Sequence, residues 1–312
     1  MAVIVRGTKN ADLWNEWADI LDGAIVDADA QQNDWDDTVN AIANVRDSKM
    51  WGEKATTLGG LGDFNIKAEG ADAAEDEFEE GYDKFIRHNT FSKTVKLSRE
   101  LRDDNRLLDA KDKLVNMVDA YKRTRLQFLT NALTTSVGAT TTMSFGGQTG
   151  IDIAGADSLA LFNSAHPMKS VSGTTQGNHF SDMLGADDTV LNLLANIMRN
   201  FKDDRGNVLG LIADTIILPG NDPTNEKLVK AIIGSDGEVG SNKNDINTQR
   251  GRWKLVVDPL WTPTISTTNH PYIIMSSKGN KALRATRLYD RTPLDVKSEE
   301  KTESRNLVYN GY

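Results

Sequence analysis

Ser98-Arg99-Glu100-Leu101-Arg102-Asp103-Asp104-Asn105-Arg106-Leu107-Leu108-Asp109-Ala110-Lys111 opens the stretch that decides the fold, a run to about Thr134 with no proline or glycine. Leu107, Leu114, Val118, Tyr121, Leu129 and Leu133 recur at helical spacing along it and predict one buried face. A helix over the whole run would reach roughly 50 Å at its regular rise per residue. Arg102-Asp103-Asp104-Asn105 offers capping side chains, so the helix can begin a few residues after Ser98. Lys111, Lys113, Lys122, Arg123 and Arg125 are read as its polar face. The ordinary meaning of such a face is solvation.

Upstream, Tyr82–Arg87 and Phe91–Leu97 read as two strands turned by His88-Asn89-Thr90, pairing as a ribbon. Phe91, Lys93, Val95 and Leu97 face one way, and Ser92, Thr94, Lys96 and Ser98 the other. A lone two-stranded ribbon is marginal in water and needs a surface to lie on. Before it come the flexible Leu58-Gly59-Gly60-Leu61-Gly62 and a carboxylate-dense stretch from Asp72 to Glu80. Gly59, Gly60 and Gly62 are candidate hinge residues, because glycine absorbs dihedral change at least steric cost. An ordinary loose loop is the equal alternative. The N-terminal segment carries Leu13, Trp14, Trp17, Ile20, Leu21 and Ile25 as an apolar helical stripe, with Asp12, Glu16, Asp19 and Asp22 opposite. It fits either a helix packed on its own domain or an arm laid on a neighbour.

Downstream the texture changes. Gly138–Gly155 is rich in Thr, Ser and Gly, and all 7 prolines fall from Pro167 onward, so the second half is segmented as in a mixed α/β domain. Asp187–Phe201 reads as an amphipathic helix showing Val190, Leu194, Ile197 and Phe201, with Gly206 as its left-handed cap. Thr215–Leu218 reads as a buried strand stopped by Pro219-Gly220. Asp222 and Pro223 read as the N-cap and first residue of a helix closed by Gly234. Leu255–Val257 and Tyr272–Met275 are further strands, and the residues after Arg291 an extended, charged return.

The 312 residues are 38% hydrophobic and 26% charged, enough for one large core or two modest ones, and contain no cysteine. Disulfides, thiolate metal sites and cysteine nucleophiles are thereby excluded. The net charge of −9 argues against a protein whose main task is to grip DNA, because phosphate neutralisation supplies most of that affinity. No apolar run approaches the roughly 20 residues of a membrane span, and the N-terminus lacks a secretory pattern, so a cytoplasmic compartment is expected. No phosphate loop, dinucleotide fingerprint or nucleophile elbow is present. Of His88, His166, His179 and His270, His166 and His179 could pair with Asp152, Asp157 or Asp182 as metal ligands, but no recognised metal spacing supports that, and the His166-Pro167 and His270-Pro271 pairs read as turn or packing residues. Adjacent carboxylates such as Asp36-Asp37 diverge on a helix and read as solvated surface. No catalytic residue, cofactor or metal site is assigned, and the chain is expected not to be an enzyme.

In order, these parts resemble the tailed-bacteriophage major capsid plan. Leu161-Phe162-Asn163-Ser164-Ala165-His166-Pro167, following Gly150–Gly155, is similar to a motif of Mu-like head proteins. Phe201–Asn207, Asp214–Pro219, Val256–Leu260 and the passage from Phe91 into Asp103-Asp104 are similarly placed. The resemblance implies an α+β, Hong Kong 97-type fold divided as an N-terminal arm (1–51), an E-loop ribbon and approach (52–100), a P-domain spine helix (101–138), mainly an A-domain (139–286), and a C-terminal return to the P-domain (287–312). It implies a shell protein assembling as hexamers and pentamers around double-stranded DNA without sequence-specific binding. It implies too a separate scaffolding protein, a portal, no membrane, and a virion capsid assembled in the bacterial cytoplasm. Lys111, Lys113, Lys122, Arg123 and Arg125 are then candidate inter-subunit contacts, meeting the acidic N-terminal arm of a neighbour. The alternatives are an encapsulin-like nanocompartment shell and, more distantly, a soluble enzyme of unrecognised type.

Overall fold

The computed structural model describes residues 4–6, 14–31, 33–58, 64–70, 72, 75–77, 80–169, 171, 173–185, 187–237, 245–283 and 285–312. Along the chain the elements are β1 (Ile4–Arg6), α1 (Asn15–Ala30), α2 (Asp34–Ile42), β2 (Asn44–Asp47), β3 (Gly52–Leu58), β4 (Glu80–Arg87), β5 (Lys93–Leu97), α3 (Arg99–Asp103) and α4 (Leu107–Thr135). There follow β6 (Thr142–Phe145), β7 (Gln148–Asp152), β8 (His166–Pro167), β9 (Thr175–Gln176), α5 (Thr189–Arg199), β10 (Thr215–Pro219), α6 (Pro223–Gly234), β11 (Lys254–Asp258) and β12 (Ile273–Met275). The last are α7 (Ser277–Leu283), β13 (Arg287–Asp290), β14 (Asp295–Glu300) and β15 (Leu307–Gly311). The architecture is mixed α+β, in two compact units: residues 1–52, 87–127 and 287–312, and residues 53–86 and 128–286.

The long helix is real but starts late. Asn105 adopts φ 50°, a left-handed turn conformation that asparagine tolerates, and this separates α3 from the 29-residue α4. Ser98 caps α3 by accepting from the Leu101 amide. At 1.5 Å per residue α4 is about 43 Å long.

In the first unit, Ala110, Leu114, Met117 and Val118 of α4 meet Trp14, Trp17, Leu21 and Ile25 of the N-terminal segment. Leu97, Leu294, Val296, Leu307 and Tyr309 complete this core. Trp14 and Trp17 pack edge to face at 5.7 Å, and the Trp14 indole N–H donates to the Arg305 carbonyl at 3.1 Å. Ile20, placed on the stripe by spacing, is exposed, and Leu13 lies outside the described residues. A sheet of order β1-β14-β15-β5 forms the floor, β1 parallel to β14 and the other pairs antiparallel. The charged C-terminal return therefore contains an apolar strand: Leu307, Val308 and Tyr309 are buried. β13 pairs in parallel with β2.

The predicted ribbon is corrected here. β4 and β5 both form, but β4 pairs with β3 while β5 joins β15. The link from His88 to Ser92 is five residues long, enough to carry the chain out of one sheet and into another.

In the second unit, β10 is buried along its whole length between parallel β11 and antiparallel β12. Gly220 ends it where a Cβ would stand 2.8 Å from the Pro259 Cα, so the backbones approach too closely for a side chain. Asp222 caps α6 by accepting from the Asn225 amide, with Pro223 in the first turn. The buried face of α5 is Leu191, Leu194 and Ala195, which shares Leu194 with the predicted face and is otherwise turned from it. α5 ends at Arg199, so Gly206 does not cap it and serves a separate turn.

Candidate functional site

The five basic residues assigned to one polar face of α4 divide between two environments. Lys111, Lys113 and Arg123 are exposed. Lys122 is buried, its side chain 4% exposed, and its ammonium donates to the carbonyls of Ala28 (3.4 Å), Asp29 (3.1 Å) and Gln31 (2.6 Å). Those carbonyls are among the unsatisfied acceptors at the C-terminal end of α1, so Lys122 caps that helix from outside. Asp36 of α2 neutralises it at 3.2 Å and also lies 3.6 Å from Arg125. Arg125 in turn donates to Asp290 of β13 at 2.5 Å. Burial pushes the Asp290 carboxyl above the usual carboxylate range, with Arg125 opposing that shift.

The acidic N-terminal segment thus meets Lys122 and Arg125 inside its own chain. Both residues have acidic partners within their own chain, Asp36 for Lys122 and Asp36 with Asp290 for Arg125. Asp36 is likewise no solvated surface group; Asn33 caps α2, and the register of that helix turns Asp36 inward. Of the two readings of the N-terminal segment, the helix packed on its own domain is the one the structure shows. Trp14, Trp17, Leu21 and Ile25 are core.

The ribbon β3–β4 behaves differently. Lys54 and Asp83 form an exposed ion pair at 2.9 Å. Hydrogen bonds from Thr56 and Lys54 hold the Asp83 carboxyl below its ordinary range. Between the two strands, Phe64 and Ile66 stand fully exposed; Phe85 and Ile86 of β4 are also exposed. Gly59, Gly60 and Gly62, the candidate hinge, lie outside the described residues. The return leg is held by charge. Lys84 donates to Asp152 at 2.7 Å, Lys169 to the carbonyls of Glu80 (2.9 Å) and Gly81 (2.6 Å), and Arg205 to Asp76.

The string Leu161–Pro167 folds into a hydrogen-bonded knot after α4. Ser136 Oγ donates to the Ile153 carbonyl and accepts from the Leu161 amide. Asn178 donates to the Leu161 carbonyl and accepts from the Asn163 amide, while Asn163 donates to the Gly138 carbonyl. His166 Nδ1 donates to Asp157 at 2.6 Å, and its Nε2 lies 3.3 Å from Asn178 Oδ1. His270 Nδ1 similarly reaches Asp222 at 2.7 Å, on the carboxylate that already caps α6. Both imidazoles tie a loop to a fixed carboxylate, the chemistry of packing. Ser136 and Asn178 carry no sequence signal, because each becomes a partner only through a tertiary turn. At the end of α4, Thr130 donates to the buried Asp258 at 2.5 Å, which also accepts from the Leu260 amide. That is the structural use of the Asp258-Pro259-Leu260 string.

No protein-family profile matches the chain, and no curated protein matches it. Among solved structures it is similar to the capsid of bacteriophage JBD30, 13% identical with a TM-score of 0.49 over 72% of this chain and 90% of that one. It is similar to the capsid of the native GTA particle, 10% identical with a TM-score of 0.45 over 90% and 85% of the two chains. Mycobacterium phage Patience gives 11% identity and a TM-score of 0.44 over 100% of this chain and 89% of that one.

Proposed function

We propose that the chain is a major capsid subunit with the Hong Kong 97-type fold, a structural protein that closes into an icosahedral shell around phage double-stranded DNA. The observation that carries this reading is the ribbon: an extended two-stranded element whose intervening segment holds Phe64 and Ile66 wholly in solvent. Neighbouring large apolar residues left bare in this way mark a surface that another protein covers. The long helix α4 and the 161–167 string in their order along the chain support the same reading.

In this reading the residues 53–86 act as the E-loop, 107–135 as the spine helix, and the sheet β1-β14-β15-β5 as the P-domain floor to which residues 287–312 return. The region from about 139 to 286 is mainly the A-domain. Gly59, Gly60 and Gly62 adjust the ribbon between quasi-equivalent positions. Lys111, Lys113 and Arg123 remain as inter-subunit contacts. The subunits associate as hexamers and pentamers, guided by a separate scaffolding protein and a portal, in a bacterial cytoplasm. Many contacts of this kind are individually weak and collectively strong.

The test is size-exclusion chromatography with negative-stain electron microscopy of the void fraction, for wild type and for Phe64→Asp with Ile66→Asp. Wild-type shells, or capsomers that close when scaffold is supplied, are expected. The double variant is expected to stay as soluble subunits, its own stability changed by less than about 0.5 kcal/mol. A wild-type chain that never assembles, even with scaffold, defeats the reading.

A further inference from the structure

The turn Asp203–Asn207 is unusually well built for a segment that ends no helix. Asp203 Oδ1 accepts from the amides of Arg205 (3.0 Å) and Asn207 (2.8 Å), and its Oδ2 accepts from the Asn207 side-chain amide (3.1 Å). The Asp203 amide donates to the Asn207 carbonyl at 2.9 Å, and Gly206 donates to the Asp203 carbonyl at 3.0 Å. Gly206 sits at φ 92°, which an L side chain rarely adopts, so the turn needs glycine there.

What this turn presents is Arg205. Its Nη1 donates to both oxygens of Asp76, at 2.7 and 2.9 Å, and its Nη2 donates to the Glu77 carbonyl. A planar guanidinium engaging a carboxylate and the adjoining backbone recognises chain direction as well as charge. Lys169 grips Glu80 and Gly81 a few residues on, and its ammonium lies 5.8 Å over the Tyr82 ring. The set of cations reaches the return leg of the ribbon, and the contacts are polar and partly exposed, with Arg205 at 19% and Asp76 at 41% side-chain exposure.

We propose that the Asp203–Asn207 turn is a latch: Arg205 holds the acidic return leg of the ribbon on its own subunit until a second copy of the chain takes the ribbon over. This rests on the shell reading above and adds a regulatory step to it. Partly exposed ion pairs are strong enough to bias a position and weak enough to be exchanged for inter-subunit contacts. Salt loosens such a latch, because the screening length falls from about 10 Å at 0.1 M to about 3 Å at 1 M.

The first arm of the test is hydrogen exchange of unassembled subunits over residues 75–87. Arg205→Ala is expected to speed exchange there about three- to tenfold, leaving the thermal midpoint of the subunit unchanged. The charge swap Arg205→Asp with Asp76→Arg is expected to restore protection. The second arm is the assembly rate followed by light scattering. Arg205→Ala is expected to assemble faster than wild type at low salt, with the difference vanishing at high salt. Unchanged exchange in Arg205→Ala overturns the latch. So does slower or equal assembly, which would make Arg205 an inter-subunit contact or a bystander. If wild type forms shells and only these differences fail, the latch alone falls; if wild type forms none, the shell reading falls with it.

Discussion

The N-terminal segment and the ribbon are both acidic stretches with scattered apolar residues, and by sequence both are candidates for arms that rest on a neighbour. The structure separates them. In the N-terminal segment the apolar residues recur every three or four positions on a helix, so one stripe gathers Trp14, Trp17, Leu21 and Ile25 against α4. In the ribbon region Phe64 and Ile66 alternate with polar residues and find no such floor. The acids differ in the same way. Asp36 is turned toward Lys122 and Arg125 and is four-fifths buried, whereas Asp76 meets Arg205 near the surface. An acidic run says little about where a segment lies; the periodicity of its apolar residues says more.

The largest expected contrast is between truncations in the two regions. Trp14→Ala is expected to destabilise the subunit by about 3–5 kcal/mol in urea denaturation, the usual loss for a buried tryptophan. Phe64→Ala in the ribbon is expected to leave the urea midpoint nearly where it was. Equal losses at the two sites would erase the distinction drawn between core and ribbon.

Next in size is the buried charge network. Lys122→Met leaves Asp36 with one cation fewer and the Ala28, Asp29 and Gln31 carbonyls without their donor, an expected cost of about 3 kcal/mol in the same assay. Arg123→Glu, one residue along but exposed, is expected to change subunit stability by less than about 0.5 kcal/mol and to act on shell formation alone. A harmless Lys122→Met would mean that the N-terminal helices are not held in cis by this cap.

The smallest effect concerns Asp22, which accepts a hydrogen bond from the buried Tyr309 hydroxyl at 3.3 Å. Burial pushes the Asp22 carboxyl above its ordinary range, with the Tyr309 hydrogen bond opposing and Asp19 adding. A carboxyl raised on folding binds its proton more tightly in the folded state. Its contribution is therefore full below the unfolded pKa and is lost as pH rises through the folded one. Asp22→Asn keeps an acceptor for Tyr309 and removes that loss. The variant is expected to match or slightly exceed wild type at neutral pH, with a flatter dependence of stability on pH across the mildly acidic range. A steeper dependence would contradict burial as the dominant influence on Asp22.

Local signals in the sequence were enough to identify α4, the cap at Asp222-Pro223 and the buried strand ending at Pro219-Gly220. Each rests on neighbours within a few residues: helical spacing, a capping side chain, a proline that cannot donate. The strands of the ribbon region were legible too, but not their partners, because a strand's edges look alike to every strand of matching length. Pairing β4 with β3 and β5 with β15 depends on where the chain goes between them, and β15 lies more than 200 residues beyond β5. The same limit governs the basic residues of α4. The sequence reading placed Lys122 and Arg123 on one polar face, and only the folded chain brings the end of α1 and Asp36 to Lys122 and leaves Arg123 exposed. Burial, and ion pairs such as Lys122 with Asp36, depend on what arrives from far along the chain, and tertiary structure alone decides them.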